Sequence, residues 1–170
     1  SLNFTATFSF AICSTCRRLA TRPGLGQIAA LEDAMRDPMS YGYAARNDLW
    51  AAYQKRFVNS VNTANSAFSF RDLFLFDYDA NFPRTPVFIG EFHNPNVPQE
   101  KDLEDIVAMA GNASSLLMGA SFFEFQVRYD KGGAETGFGM FGLGSRRLGE
   151  VSLGNSSFQA QCLTPIRDGA

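Results

Sequence analysis

A chain of 170 residues with 45% hydrophobic and 19% charged side chains can bury one substantial core and is too apolar for a disordered or solvating segment. Fifteen basic residues against 17 acidic, a formal charge of −2 and no block of like charge give no reason to expect a nucleic-acid partner or an anionic membrane surface. No apolar run approaches the roughly 18 to 20 residues that span a bilayer, so no membrane span is expected.

The chain opens on Ser1 with no basic segment before the apolar stretch, and the expectation is a processed chain whose secretory leader lay upstream. Leu2 to Ile12 alternates large apolar with small or hydroxyl residues, the period-two pattern of a first strand. Cys13-Ser-Thr-Cys16 follows, and Cys162 near the far end brings the cysteines to three, so at most one internal bridge can form. A zinc site would need two further ligands from one Cys and one His, so no metal is expected. A redox pair at a strand end and a structural bridge involving Cys13, Cys16 or Cys162 both remain open, the bridge being favoured for a secreted protein. Three sequons point the same way, at Asn3, Asn112 and Asn155, and the expected location is extracellular or cell wall.

After Pro23-Gly24, Ile28, Leu31 and Met35 fall on one face of a short helix over Gln27 to Met35. Asn47 or Asp48 caps a second helix, Leu49 to Arg56, and the β-branched, alternating Phe57 to Thr63 reads as the second strand. Phe70 to Tyr78, interrupted by Asp72 and Asp77, is read as helix. Val87-Phe-Ile-Gly-Glu-Phe92 is a continuous apolar run closed by His93-Asn94-Pro95, as in a parallel strand buried on both faces. The helix from Pro98 or Gln99 to Ala110 carries a stripe of Leu103, Ile106, Val107 and Ala110 and stops at Gly111-Asn112. Leu116 to Val127 is the fourth strand. Residues 131–170 read as a Gly-rich loop and C-terminal tail. The 17 Phe, against one Trp and five Tyr, suit a large apolar core because Phe needs no hydrogen-bond partner.

Strands alternating with helices imply a single α/β domain of parallel βαβ units. Four units are too few for a closed eight-stranded barrel of about 250 residues, so either the sheet is open or half a barrel lies outside the chain. Ligands of such sheets gather at the carboxyl ends of the strands. Asn59, Asn62, Thr63 and Asn65 lie at the second strand, Glu91, His93 and Asn94 at the third, and Glu124, Gln126, Arg128, Tyr129 and Asp130 at or beyond the fourth.

Glu91 stands out because a carboxylate behind Val-Phe-Ile-Gly should be nearly buried, which is costly without a task or a partner such as Arg128. Glu124 can share its cleft, although strands about 4.8 Å apart leave little room for a sugar between two carboxyls. A gap of about 5 to 5.5 Å suits a retaining glycosidase. Around the single histidine, His93, no Ser-His-Asp arrangement is legible. The Asn residues serve as ligands or turn formers, Trp50 is read as core, and Tyr129 is the better stacking platform.

Val87-Phe-Ile-Gly-Glu-Phe-His93, following Phe82-Pro-Arg-Thr-Pro86, resembles the seventh strand of the clan of retaining (β/α)8 glycoside hydrolases, in which the Glu after Gly is the nucleophile. Gly119 to Gln126 resembles the eighth strand, Phe57 to Thr63 the sixth and Leu2 to Ile12 the fifth. Within the clan the nearest likeness is to β-1,3-glucanases and glucanosyltransferases. The resemblance implies the C-terminal half of a TIM-type barrel, acting on a β-glucan-like polysaccharide without a cofactor. Glu91 would be the nucleophile, with Asn62, His93, Asn94, Glu124 and Tyr129 against the sugar. The clan's acid/base is a Glu after an Asn, and no Asn-Glu pair occurs here. The resemblance therefore places that residue on an N-terminal half-barrel outside this chain, which alone would be inactive. Two readings of other classes stand beside it: a non-catalytic extracellular carbohydrate-binding or structural barrel, and an open-sheet redox protein using Cys13 and Cys16.

Overall fold

The computed structural model describes residues 4–8 and 25–166. Cys13, Cys16 and Asn3 lie outside the described residues, and with them the redox motif, its bridge and the first sequon. Four strands, β1 (Phe4–Phe8), β2 (Phe57–Thr63), β3 (Val87–Phe92) and β4 (Leu117–Phe122), pair in parallel in the order β1-β2-β3-β4. Between β1 and β2 run α1 (Leu25–Arg36), a 3-10 turn (Pro38–Tyr41) and α2 (Leu49–Arg56). Between β2 and β3 lies a helical run of three parts: α3 (Ala67–Phe70), a π-helical turn (Arg71–Leu75) and α4 (Phe76–Asn81). The single helix α5 (Gln99–Ala110) joins β3 to β4.

Local chemistry sets these boundaries. Asp48 caps α2, its Oδ1 accepting the Ala51 N–H at 2.9 Å, and the chain passes directly into β2 where aromatic and β-branched residues begin. Ser66 caps α3, whose first N–H, that of Ala67, is also taken at 2.7 Å by Asp102 from α5. That bond ties two helices together through a carboxylate that is only 8% exposed. Burial pushes the Asp102 carboxyl above its ordinary value, and the Ala67 N–H works against that rise.

The phenylalanine excess has a structural account. Phe70, Phe74, Tyr78 and Phe82 meet ring to ring in sequence at 5.1, 5.4 and 5.0 Å, each four residues after the last, the first two pairs stacked and the third tilted. Their ladder packs with Val61, Val87, Ile89 and Leu117 of the sheet, and with Ile28 and Ile106 of α1 and α5, in one buried cluster. Full burial of each such side chain is worth about 1.5–3 kcal/mol. One polar network crosses it: Asn59 Nδ2 donates to Tyr78 Oη at 2.8 Å, and Tyr78 donates to the Thr85 carbonyl at 2.8 Å. Burial raises the Tyr78 phenol well above its ordinary range, so it stays a neutral donor.

The C-terminal segment departs from expectation. Residues 131–170 do not form a loop throughout: β5 (Phe141–Leu153) and β6 (Ser156–Pro165) make a long antiparallel hairpin. Its turn is Gly154-Asn155, with Gly154 at φ 58°. Glycines here serve close approach as well as turning, because a Cβ on Gly144 would fall 2.5 Å from Cys162 Sγ and 2.5 Å from Thr164 Oγ1. Cys162 is a free thiol. The fourth strand is also shorter than expected: it ends at Phe122, and the chain turns away through a cis Phe123–Glu124 peptide. Among the described residues no helix is long and apolar enough to cross a membrane.

Candidate active-site cleft

A cleft of about 500 Å³ opens at the carboxyl ends of β2, β3 and β4. Its lining includes Asn62 and Thr63 from β2, Glu91 and His93 from β3, Phe123 after β4, and Lys131, Glu135 and Phe138 from the following segment. The sequence placed Asn62, Glu91 and His93 here.

How Glu91 comes to face the cleft follows from strand register. Val61 pairs with Ile89, but Asn62 pairs with Glu91, so Gly90 is an extra residue on β3. Ile89 is fully buried against the helices. Strict alternation from Ile89 would turn Glu91 into the same core; the bulge at Gly90 instead gives it the face of Asn62. Glu91 is accordingly exposed, which corrects the expectation of a nearly buried carboxylate. Gly90 also has to be small, because a Cβ there would lie 2.8 Å from Asn62 Oδ1 and 2.9 Å from Ser60 Oγ. The Gly-Glu pair is thus one device: glycine makes room for the Asn62 side chain, and the irregularity it occupies aims the glutamate.

The same Asn62 Oδ1 is buried and accepts no hydrogen bond. An unsatisfied acceptor beside a carboxylate suits a ligand hydroxyl, which can donate to it. His93, 6% exposed, is held from three sides: its Nδ1 lies 2.7 Å from the Phe123 carbonyl, and its ring meets Phe122 at 4.5 Å and Phe138 edge-on at 5.3 Å. Because a carbonyl only accepts, Nδ1 carries a proton. His93 therefore links the ends of β3 and β4 and forms the aromatic floor of the cleft.

Other expected site residues are placed elsewhere. Glu124 does not line the cleft; its Oε1 is buried without a hydrogen-bond partner, and its backbone carbonyl accepts Met140 N–H at 2.8 Å. Tyr129 anchors the hairpin, its Oη accepting the Leu143 N–H at 3.2 Å, so it is no platform in the cleft. Asn94 closes a local turn by accepting the Asn96 N–H, and Asn65 bonds Thr63 Oγ1, both turn chemistry. Asn59 points into the helix layer. Arg128 does not pair with Glu91 but grips Asp130 through two bonds, of 2.8 and 2.6 Å, holding the Asp130 carboxyl down at about 2. Trp50 stacks on Tyr53 at 5.6 Å under Arg36, away from the cleft. Asn112 and Asn155 are both exposed, at a helix end and in the hairpin turn.

Sequence reasoning missed Lys131, Glu135, Phe138 and Phe123. The first three sit in a segment without hydrophobic period. The signal for their order is the glycine pattern: Gly132 and Gly133 at φ 66° and 59° lead into a 3-10 turn (Gly133–Gly137) that carries Glu135 back over the cleft. Among the described residues no group of three or more His, Cys, Asp or Glu could hold a metal ion. The chain matches no family model, no characterised protein and no solved structure.

Proposed function

We propose that this chain is the C-terminal half of a retaining (β/α)8 glycoside hydrolase or transglycosidase acting on a β-glucan-like polysaccharide outside the cell, with Glu91 as its nucleophile. One observation carries the reading: the bulge at Gly90 turns Glu91 out of the helix-packed core and beside the unsatisfied Asn62 Oδ1, at the carboxyl end of a parallel strand. The architecture supports it. Strand order follows chain order and the buried cluster lies between sheet and helices, as in a singly wound barrel wall. Among the described residues β1 and β4 each pair on one side only, which leaves two edges for a second set of strands. Exposed sequons at Asn112 and Asn155 fit an extracellular setting.

In this mechanism the Glu91 carboxylate attacks the anomeric carbon as the leaving oxygen is protonated, and water or a second sugar then displaces the carboxylate from the glycosyl-enzyme. Asn62 accepts a sugar hydroxyl, and His93 with Phe123 and Phe138 forms the apolar wall against the ring face. The proton donor belongs to the partner half-barrel, since no Asn-Glu pair occurs in this sequence and the Glu135 carboxylate is engaged by Lys131. Glu91→Gln in the full-length protein removes the nucleophile while preserving shape. Glucan cleavage is expected to fall to background with the thermal transition unchanged; undiminished turnover would overturn the assignment. A second reading, a barrel that binds polysaccharide without cleaving it, is favoured by the exposure of Glu91 without an ion-pair partner among the described residues. It predicts that Glu91→Gln alters glucan affinity and that no reducing ends are released by the parent protein.

A further inference from the structure

Among the described residues the cleft is lined by two carboxylates and one ammonium, and their pairing is unequal. Lys131 Nζ donates to Glu135 Oε2 at 3.1 Å, with both side chains 42% exposed, and the ammonium lies 5.8 Å from the centre of the Phe123 ring. Glu91 faces the same space with no ion-pair partner among the described residues. Among the described residues, Glu91, Glu135 and Lys131 give the lining one more carboxylate than ammonium.

We infer that Glu135 is a specificity-determining residue: by occupying Lys131 it keeps acidic sugars out of the cleft and restricts the site to neutral β-linked glucans. The inference rests on the carbohydrate reading of the site and deepens it. Among the described residues Lys131 is the one cation of the lining, and a uronate or sulfated sugar would need it to offset repulsion from Glu91. Glu135 lies on the same short segment and competes as an intramolecular partner, at an effective concentration that a free ligand carboxylate does not reach. The segment is built to hold that partner in place. Gly132 and Gly133 take positive φ, the Thr136 hydroxyl donates to the Gly133 carbonyl at 2.8 Å, and the Phe138 N–H donates to the Glu135 carbonyl at 3.2 Å. A Cβ on Gly137 would already touch Pro95 at 3.6 Å, so the turn is seated on the loop after β3. A neutral glucan meets no repulsion from this arrangement, and its hydroxyls can donate to both carboxylates and accept from the remaining Lys131 hydrogens.

The test measures dissociation constants by titration calorimetry for a neutral β-glucan hexasaccharide and an oligouronate of equal length, using the full-length protein and two variants. The parent is expected to bind the glucan and reject the oligouronate. Glu135→Gln releases Lys131 and is expected to raise the ratio of oligouronate to glucan affinity about fivefold, the scale of one exposed charge contact, with a gain that added salt erodes. Adding Lys131→Met to Glu135→Gln is expected to cancel the gain, which separates the freed ammonium from a general loss of negative charge. An unchanged ratio in Glu135→Gln, a gain that survives Lys131→Met, or a parent that binds both sugars equally would each overturn the role of Glu135 while leaving the carbohydrate site standing. Failure of the parent to bind either sugar would overturn the carbohydrate reading itself.

Discussion

The helix-backed sheet and the β5–β6 hairpin use the same kinds of residue to opposite ends. In the sheet, Val87 and Ile89 are wholly buried, as is Tyr78 of the helix layer behind it, and each meets other apolar side chains across the layer. In the hairpin, Leu148, Val151, Leu153 and Phe158 are 64%, 48%, 66% and 55% exposed, although Val151 and Phe158 face each other across the strands. Two long strands with regular pairing do not by themselves bury anything; burial needs a second layer. The cleft belongs to the region that has one, because a side chain can be aimed only from a backbone that packing has fixed.

That contrast should appear first as a difference in stability. Phe74→Ala removes one of the two inner rings of the aromatic ladder and is expected to cost about 3–5 kcal/mol in urea unfolding; a loss under about 1 kcal/mol would mean the ladder is not tightly packed. Next in size is Gly90→Ala, which drives a methyl against Asn62 and Ser60 and should cost about 1–3 kcal/mol. The more telling readout is glucan affinity, which should weaken as Asn62 is displaced, whereas Ser121→Ala on the exposed surface of β4 should leave the same measurement where it was.

Asp102 offers a third, smaller probe. Its carboxyl titrates above the ordinary 3.8 because burial penalises the charged form, so the native state binds a proton more tightly than the unfolded chain between those two values. Stability therefore falls as pH rises from the ordinary value through the raised one, and is recovered on acidification. Asp102→Asn keeps an acceptor for the Ala67 N–H and carries no charge, so relative to the parent it should be more favourable at pH 7 than at pH 3. Asp102→Ala should lose about 1 kcal/mol at pH 3 by leaving that N–H uncapped, and less than that at pH 7, where it also removes the buried charge. A gap between parent and Asp102→Asn that does not change with pH would contradict the burial account. The smallest effect is expected in the hairpin: Leu148→Ser should shift stability by less than about 0.5 kcal/mol. A larger loss would mean that this surface is covered in solution.

The sequence made the repeating part of the fold legible. The boundaries of α2, β2, β3 and α5 follow from caps, β-branched runs and the Pro98 to Gly111 frame, and the structure has them where these signals lie. The hairpin was hidden because its glycines read as loop, although Gly154-Asn155 between alternating segments is a two-residue turn signal. For the site, the continuous apolar run located Glu91 at a strand end and implied that it is nearly buried, but a run of apolar residues carries no sign of the bulge at Gly90 that turns the glutamate outward. Asn59 and Asn62 look alike in the sequence and lie on opposite faces of β2, one bonded to Tyr78 and one lining the cleft. Tyr129 and Glu124 were misplaced for a related reason: β4 ends at Phe122, so alternation carried past that point has no strand to follow.

The central claim is that the Gly90 bulge presents Glu91 as a nucleophile. An activated 2-deoxy-2-fluoro-β-glucoside tests it most directly, because its leaving group departs without a proton donor and its glycosyl-enzyme turns over slowly. Incubated with the full-length protein and digested for mass spectrometry, it should leave one fluorosugar on the peptide that contains Glu91, and none on the Glu91→Gln variant. Glucan turnover accompanied by a label on another carboxylate, or by none, would contradict the account.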